Sequence, residues 1–320
     1  ERERANIASA ASKYWSTMPT QQHLPTLRPG DTIGLITPAS AVQPEQVEAG
    51  IALLTEMGYD CRIAAHAYDN NGITAAPPPA RIADFYDFLE DPSVKAIWAL
   101  RGGYGTIQLL GEIDFSVFAR NPKLLVGFSD VTAFQWAAYQ QAGFPSLSGM
   151  TLTTQVSREN PYFSAGMEIV QGERFSINGD DVDPEDARIA REGSAEGTLI
   201  GGTLSMICTL CGTPFWLEED SLILFLEDIG EPYYRIDRCL QQLRLAGFWP
   251  QVAGVILGKF MYEERKLDVL SLIQPYLPPD IPLVYDFPYG HFPGCFPLPV
   301  GVTARLDARP FRLSWSGLMA

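Results

Sequence analysis

Val126-Gly127-Phe128-Ser129-Asp130-Val131-Thr132 is the stretch whose reading decides the fold. The apolar run Lys123-Leu124-Leu125-Val126 before it reads as a strand. Thr132 to Gln141 after it, carrying Phe134, Trp136, Ala137, Ala138 and Tyr139, reads as a helix. A small residue and then a serine between strand and helix is one way to expose a nucleophilic hydroxyl on a sharp turn. A helix opening just past Ser129 would aim its amides and dipole at developing negative charge. The same letters also spell a capped helix start, with Ser129 or Asp130 as N-cap. Val131 stands where Gly-x-Ser-x-Gly has its second glycine, which argues against an ordinary lipase or esterase elbow.

Outward from this stretch, strands and helices alternate. Upstream, Thr32 to Thr37, Cys61 to Ala65 and the continuously apolar Val94 to Leu100 read as strands. Pro44 to Met57 and Arg81 to Glu90 carry apolar residues at helical spacing. The alternation predicts an α/β fold: an N-terminal, mostly parallel sheet flanked by helices, over residues 27–155. Ligands bind such sheets beyond the carboxyl ends of the strands. Two of those ends are unusual: the serine turn, and Arg101-Gly102-Gly103-Tyr104-Gly105 after Val94 to Leu100. Its three glycines allow close backbone approach to a ligand, though a plain tight turn uses the same residues. A phosphate-binding loop is disfavoured because no Gly-Lys-Ser/Thr follows.

Downstream, the acidic stretch 156–196 reads as a linker and surface segment. Residues 197–320 read as a smaller C-terminal α/β or β-rich domain. Its expected strands are Ser221 to Leu226, Val252 to Phe260, Pro282 to Phe287, Leu298 to Leu306 and Phe311 to Trp315; Tyr233 to Leu245 and Leu267 to Tyr276 read as helices. Pro299 marks Leu298 to Leu306 as an edge or bulged strand. Residues 1–26, polar and Ala/Ser/Thr-rich, are expected to be an extension that packs on the body or frays.

The 320 residues include 46% apolar and 19% charged residues, enough for a sizeable core. The net charge of −15 repels phosphate backbones and anionic surfaces, so neither nucleic acid nor a membrane is an expected partner. Five scattered cysteines do not form a disulfide framework. Cys208 and Cys211 form a lone C-x-x-C, read as small buried hydrophobes rather than a metal or redox pair.

A serine nucleophile needs a base, and the base an orienting carboxylate. Among three histidines, His23 lies in the extension, His66 at a strand end, and His291 in a Gly/Pro-framed loop after a strand. His291 is the best-placed base. Glu227 is the favoured carboxylate because it ends an apolar strand; Asp228, facing the other way, and Glu231 are its rivals.

Arg101-Gly102-Gly103-Tyr104-Gly105, Gly127 to Thr132, Leu226-Glu227-Asp228 with Tyr234-Arg235-Ile236-Asp237-Arg238, and Gly290-His291 occur in that order. The set resembles the LD-carboxypeptidase family of serine peptidases, which includes the microcin-immunity peptidases, over roughly Leu27 to the C-terminus. The resemblance implies Ser129 as nucleophile, Glu227 as orienting group and His291 as base then acid. It implies an oxyanion hole from the Gly103 and Asp130 amides, no metal or cofactor, and a homodimer. The implied substrate is a murein tetrapeptide that loses its terminal D-alanine during cell-wall recycling. Arg101 and Tyr104 are the candidate substrate-binding side chains, Arg101 for the terminal carboxylate. Two other readings stay open: a microcin-type peptidase that cleaves peptidyl or acyl-aminoacyl nucleotide amides, and a non-catalytic binder of cell-wall fragments. Thr203 replaces the asparagine more often found in the family, which puts a substrate contact there in doubt. The stretch from His291 to Phe296 is more apolar than expected beside a base. The cytoplasm is the expected compartment, with the periplasm left open by the N-terminal extension.

Overall fold

The strand, turn and helix read from 123–142 form as expected in the computed structural model, which describes residues 26–316. Five strands of the first sheet precede the chain's midpoint: β1 (Thr32–Ile36), β2 (Asp60–Ile63), β3 (Val94–Ala99), β4 (Leu124–Gly127) and β5 (Ser146–Ser148). They are parallel in the order β5-β4-β3-β1-β2. Burial explains their composition: every residue of β4 is buried, as suits a strand covered on both faces. The helix Pro78–Glu90 covers β1 and β3, and its Phe85 ring stacks 4.5 Å from Phe134.

The second sheet holds β6 (Ser176–Asn178), β7 (Arg188–Arg191), β8 (Ser194–Thr203), β9 (Leu222–Ile229), β10 (Val252–Tyr262), β11 (Arg265–Leu267) and β12 (Leu283–Tyr285). After β13 (Leu298–Val300), the sheet is completed by β14 (Val302–Asp307) and β15 (Arg312–Ser316). Its centre, β8-β9-β10-β12, is parallel, and its flanks are antiparallel. With nine strands it is wider than the six-stranded first sheet, although the sequence suggested a smaller unit.

Three segments depart from the sequence reading. The stretch 156–196 was expected to be linker and surface, but it contains the helix Phe163–Val170, β6, β7 and the start of β8. The strands β6 and β7 are short and lie at the two ends of the sheet, so polar and acidic residues suffice there and the apolar signal is weak. The expected single strand Leu298 to Leu306 is two strands in two sheets. β13 pairs antiparallel with β5, and β14 pairs with β8. Gly301 (φ 79°) makes the crossing, and a Cβ there would lie 2.3 Å from the Tyr139 ring. Leu267 to Tyr276 yields only the short helix Leu270–Ile273 and one 3₁₀ turn.

The helix Thr132–Ala142 joins the two sheets. Most of it is buried, it packs against β8 and the helix Leu204–Thr209, and Trp136 Nε1 donates to the Gly201 carbonyl at 2.9 Å. Gly201 is required there, since a Cβ would fall 1.8 Å from the Phe225 carbonyl oxygen.

Candidate active site

Ser129 follows β4 with φ at +65°, a left-handed conformation that costs a non-glycine residue about 1–3 kcal/mol. The turn is tight because Gly127 has no side chain: a Cβ there would lie 2.5 Å from Val131. A 3₁₀ turn over Ser129–Val131 then runs into the helix Thr132–Ala142. Neither Ser129 nor Asp130 acts as a side-chain cap. The buried Asp130 carboxylate accepts bonds from the Thr106 amide (2.8 Å) and hydroxyl (2.6 Å).

The serine hydroxyl lies 2.8 Å from His291 Nε2, and His291 Nδ1 lies 2.7 Å from Glu227 Oε2. A carboxylate only accepts, so Nδ1 carries the proton and Nε2 is free to accept from Ser129. Glu227, at the end of β9, is fully buried, and Thr203 Oγ1 donates to its other oxygen at 2.5 Å. His291 follows β12 in a loop pinned by Gly290 (φ 143°), where a Cβ would meet the Lys259 carbonyl at 2.9 Å. Burial of the imidazole opposes its charging, but the charge and hydrogen bond of Glu227, helped by Asp228, win, and the His291 pKa is raised.

The rival groups are engaged elsewhere. Asp228 faces away and accepts from the Ser205 and Ile229 amides. Its burial and the neighbouring Glu227 charge push its pKa up to about 7. Glu231 lies 3.5 Å from Arg235. His66 pairs with buried Asp84 at 2.8 Å, and His23 lies outside the described residues.

The glycine turn after β3 lies directly against Ser129. A Cβ on Gly102 would sit 2.8 Å from Ser129 Cβ and 2.9 Å from the Phe128 carbonyl oxygen. Gly103 (φ 114°) packs on Ser40, whose hydroxyl accepts from the Tyr104 amide at 3.0 Å. Arg101 is half-buried and donates to the Ala41 carbonyl at 2.9 Å; Tyr104 is exposed. The turn therefore brings backbone, not side chain, to the serine.

A hydroxyl, an imidazole and a buried carboxylate in one hydrogen-bonded line, beside a glycine turn, suit acyl transfer. Family models agree with this geometry: residues 33–149 match the LD-carboxypeptidase N-terminal domain and residues 196–306 the C-terminal domain. The chain belongs to the LD-carboxypeptidase family. It is a serine-type carboxypeptidase hydrolase. It is 32% identical over 295 residues to the murein tetrapeptide carboxypeptidase of Pseudomonas aeruginosa, covering 88% of this chain and 94% of that one. The muramoyltetrapeptide carboxypeptidase structure from Oxalobacter formigenes superposes with a TM-score of 0.79 at 29% identity, covering 90% of this chain and 100% of that chain. The MccF-like protein structure from Bacillus anthracis gives 0.83 at 25% identity, with 92% and 99% covered.

Three supporting elements of this LD-carboxypeptidase were missed by sequence reading. Thr203, noted only as a departure from asparagine, is committed to Glu227. Its one signal was adjacency to the glycine pair that opens the second sheet. Buried Arg81 donates to the carbonyls of Ala76, Pro38 and Gly105 and so ties the loops after β1 and β3 together. Nothing local distinguishes it from a surface helix arginine. The apolar character around His291 also has a reason: the Phe128 ring lies 4.5 Å from the imidazole, and Phe296 and Cys295 are buried beneath the loop. Cys208 and Cys211 are half-buried against the core, with Cys208 Sγ 3.4 Å from the Cys239 carbonyl. Among the described residues, no helix is long and apolar enough to cross a membrane.

Proposed function

We infer that this LD-carboxypeptidase releases the terminal D-alanine of murein tetrapeptides. The observation that carries the reading is the unbroken line Ser129–His291–Glu227, at 2.8 and 2.7 Å. Two similar proteins named as murein or muramoyl tetrapeptide carboxypeptidases supply the substrate class. In this reading, His291 Nε2 takes the Ser129 proton as Oγ attacks the scissile carbonyl. The tetrahedral oxyanion is held by the amides of Gly103 and Asp130, each contributing about 3–4 kcal/mol in the transition state. His291 then protonates the leaving amine of D-alanine, and water hydrolyses the acyl-enzyme by the reverse sequence. Arg101 is the cation we assign to the terminal carboxylate, with Tyr104 beside it at the rim. With released stem peptides as substrate we place the enzyme in the cytoplasm, and separately we propose that it works as a homodimer; light scattering tests the assembly and fractionation the compartment.

The experiment is D-alanine release from purified murein tetrapeptide by wild type and Ser129→Ala. Release by wild type alone is expected, with a fall in kcat of about 10⁴-fold or more. Equal release by the variant overturns Ser129 as nucleophile. The likeness to an MccF-like protein keeps a second reading in play, hydrolysis of peptidyl or acyl-aminoacyl nucleotide amides. Turnover of such an amide, with no D-alanine released from the tetrapeptide, replaces the first reading by the second.

A further inference from the structure

A cavity of about 390 Å³ lies away from the serine, at the opposite end of the first sheet. Its lining includes Arg28 before β1, Lys95 at the start of β3, and Arg120 and Lys123 before β4. Because these strands are parallel, their amino ends form one rim and the catalytic turns the other, roughly 20 Å away along a strand. Four cations and one acid, Asp31, line the cavity, in a chain whose net charge is −15.

The cations are not neutralised in place. Among the described residues, no carboxylate forms an ion pair with Arg28, Lys95 or Lys123. Asp31 caps the Arg28 backbone amide at 2.7 Å. Arg120 donates to the Ser116 hydroxyl at 2.8 Å, and its one carboxylate partner among the described residues is Asp114 at 3.8 Å, with both side chains 62% exposed, a pairing of little energetic weight. Lys123 is the telling member. It is 5% exposed, and its Nζ donates to the Asp91 and Val94 carbonyls at 2.6 Å each. An ammonium has three donors, so these two anchors fix the charge at the cavity wall and leave one N–H. Burial first, and then the charge of Lys95, lower its pKa, against an opposing pull from the Asp91 charge. Holding like charges together is costly unless an anion offsets them. Asn121 and Thr26 add polar groups to the same wall.

The geometry points to a second binding site, at the amino-end rim of the first sheet, for a small soluble phosphate-bearing anion. Arginine supplies a planar fork for phosphate oxygens, and lysines supply point charges around it. The volume admits a ligand the size of a diphosphate or a small phosphate ester. The surrounding negative surface excludes large polyanions such as nucleic acid.

The test is isothermal titration calorimetry of the full chain with inorganic pyrophosphate at low salt, beside the double variant Arg28→Glu/Lys95→Glu. Both positions are exposed, so the variant should melt as wild type does; Arg28→Gln/Lys95→Gln is the substitute if it does not. Wild type should bind saturably, one pyrophosphate per chain, with affinity falling as salt rises. The charge reversal should weaken binding by about tenfold or more. Absence of saturable binding by wild type overturns the site, as does unchanged affinity in the variant. Sedimentation with phosphatidylglycerol vesicles without pyrophosphate binding overturns the soluble ligand in favour of a lipid headgroup.

Discussion

Ser129 and the His291–Glu227 pair are held by differently built regions. Ser129 sits in a turn made by contiguous residues, with β4 before it and the helix Thr132–Ala142 behind it. Glu227, Thr203 and His291 come from the ends of β9 and β8 and the loop after β12, linked by hydrogen bonds between segments far apart in the chain. The first region stores backbone strain at a half-buried residue. The second buries a charge completely and must satisfy it. A change at the serine turn should therefore cost chemistry more than stability, whereas a change in the carboxylate network should cost both.

Glu227→Gln tests the second region hardest. A glutamine keeps the volume but cannot accept from Nδ1–H through its amide nitrogen, so the imidazole loses its orienting charge. A fall in kcat/KM of about 10⁴-fold is expected. The pH profile gives the sign. Wild type needs neutral His291, and the raised pKa places its acid limb above the ordinary histidine value. In the variant, the burial that lowers the pKa is left without the carboxylate that raised it, so the limb moves to lower pH. In wild type the same pairing stabilises the fold fully below the unfolded histidine pKa, and this share is lost as pH rises through the raised folded value. An acid limb that stays in place would separate Glu227 from the titration of His291.

Gly102→Ala tests the first region. The added methyl meets Ser129 Cβ at 2.8 Å and the Phe128 carbonyl at 2.9 Å, so Ser129 must shift. Displacement on this scale should lower kcat by about 10²-fold. The overpacked methyl should also cost about 1–3 kcal/mol of stability, less than Glu227→Gln costs if the contrast holds; an equal or larger loss on thermal melting would show that the serine turn carries as much stability.

Thr203→Val has the smallest expected effect on rate and sharpens the comparison most. It removes the donor to Glu227 Oε1 in a fully buried setting. Leaving that oxygen unpaired should destabilise the fold by about 1–3 kcal/mol, read from denaturant unfolding. Activity should fall less than in Glu227→Gln because Oε2 still holds His291. Thr203→Ser should restore most of the stability, since it returns the hydroxyl. If Thr203→Val leaves stability unchanged, the second region is not the stability-bearing one.

Much of the first sheet was legible because its signals are local. Apolar runs such as Leu124 to Val126 identify covered strands, and strand–glycine or strand–serine junctions mark the carboxyl-end rim where ligands bind. Glu227 was the favoured carboxylate because it ends an apolar run, and strand alternation set Asp228 on the opposite face. Less was legible where elements are short or change sheets. β6 and β7 lie at sheet ends that do not demand apolar residues, and Leu298 to Leu306 gives no sign that Gly301 divides it.

By itself, the sequence determined the α/β alternation, the tight turn at Ser129 and the ordered set of candidate chemical residues, because each depends on neighbours within a few positions. Only the tertiary structure decided that Ser129, His291 and Glu227 share one hydrogen-bonded line, and that Thr203 serves the carboxylate. It also decided that Arg28, Lys95, Arg120 and Lys123 share a cavity. Distances between residues far apart in the chain depend on how two sheets pack around the helix Thr132–Ala142, and that packing is a property of the whole core rather than of any one stretch.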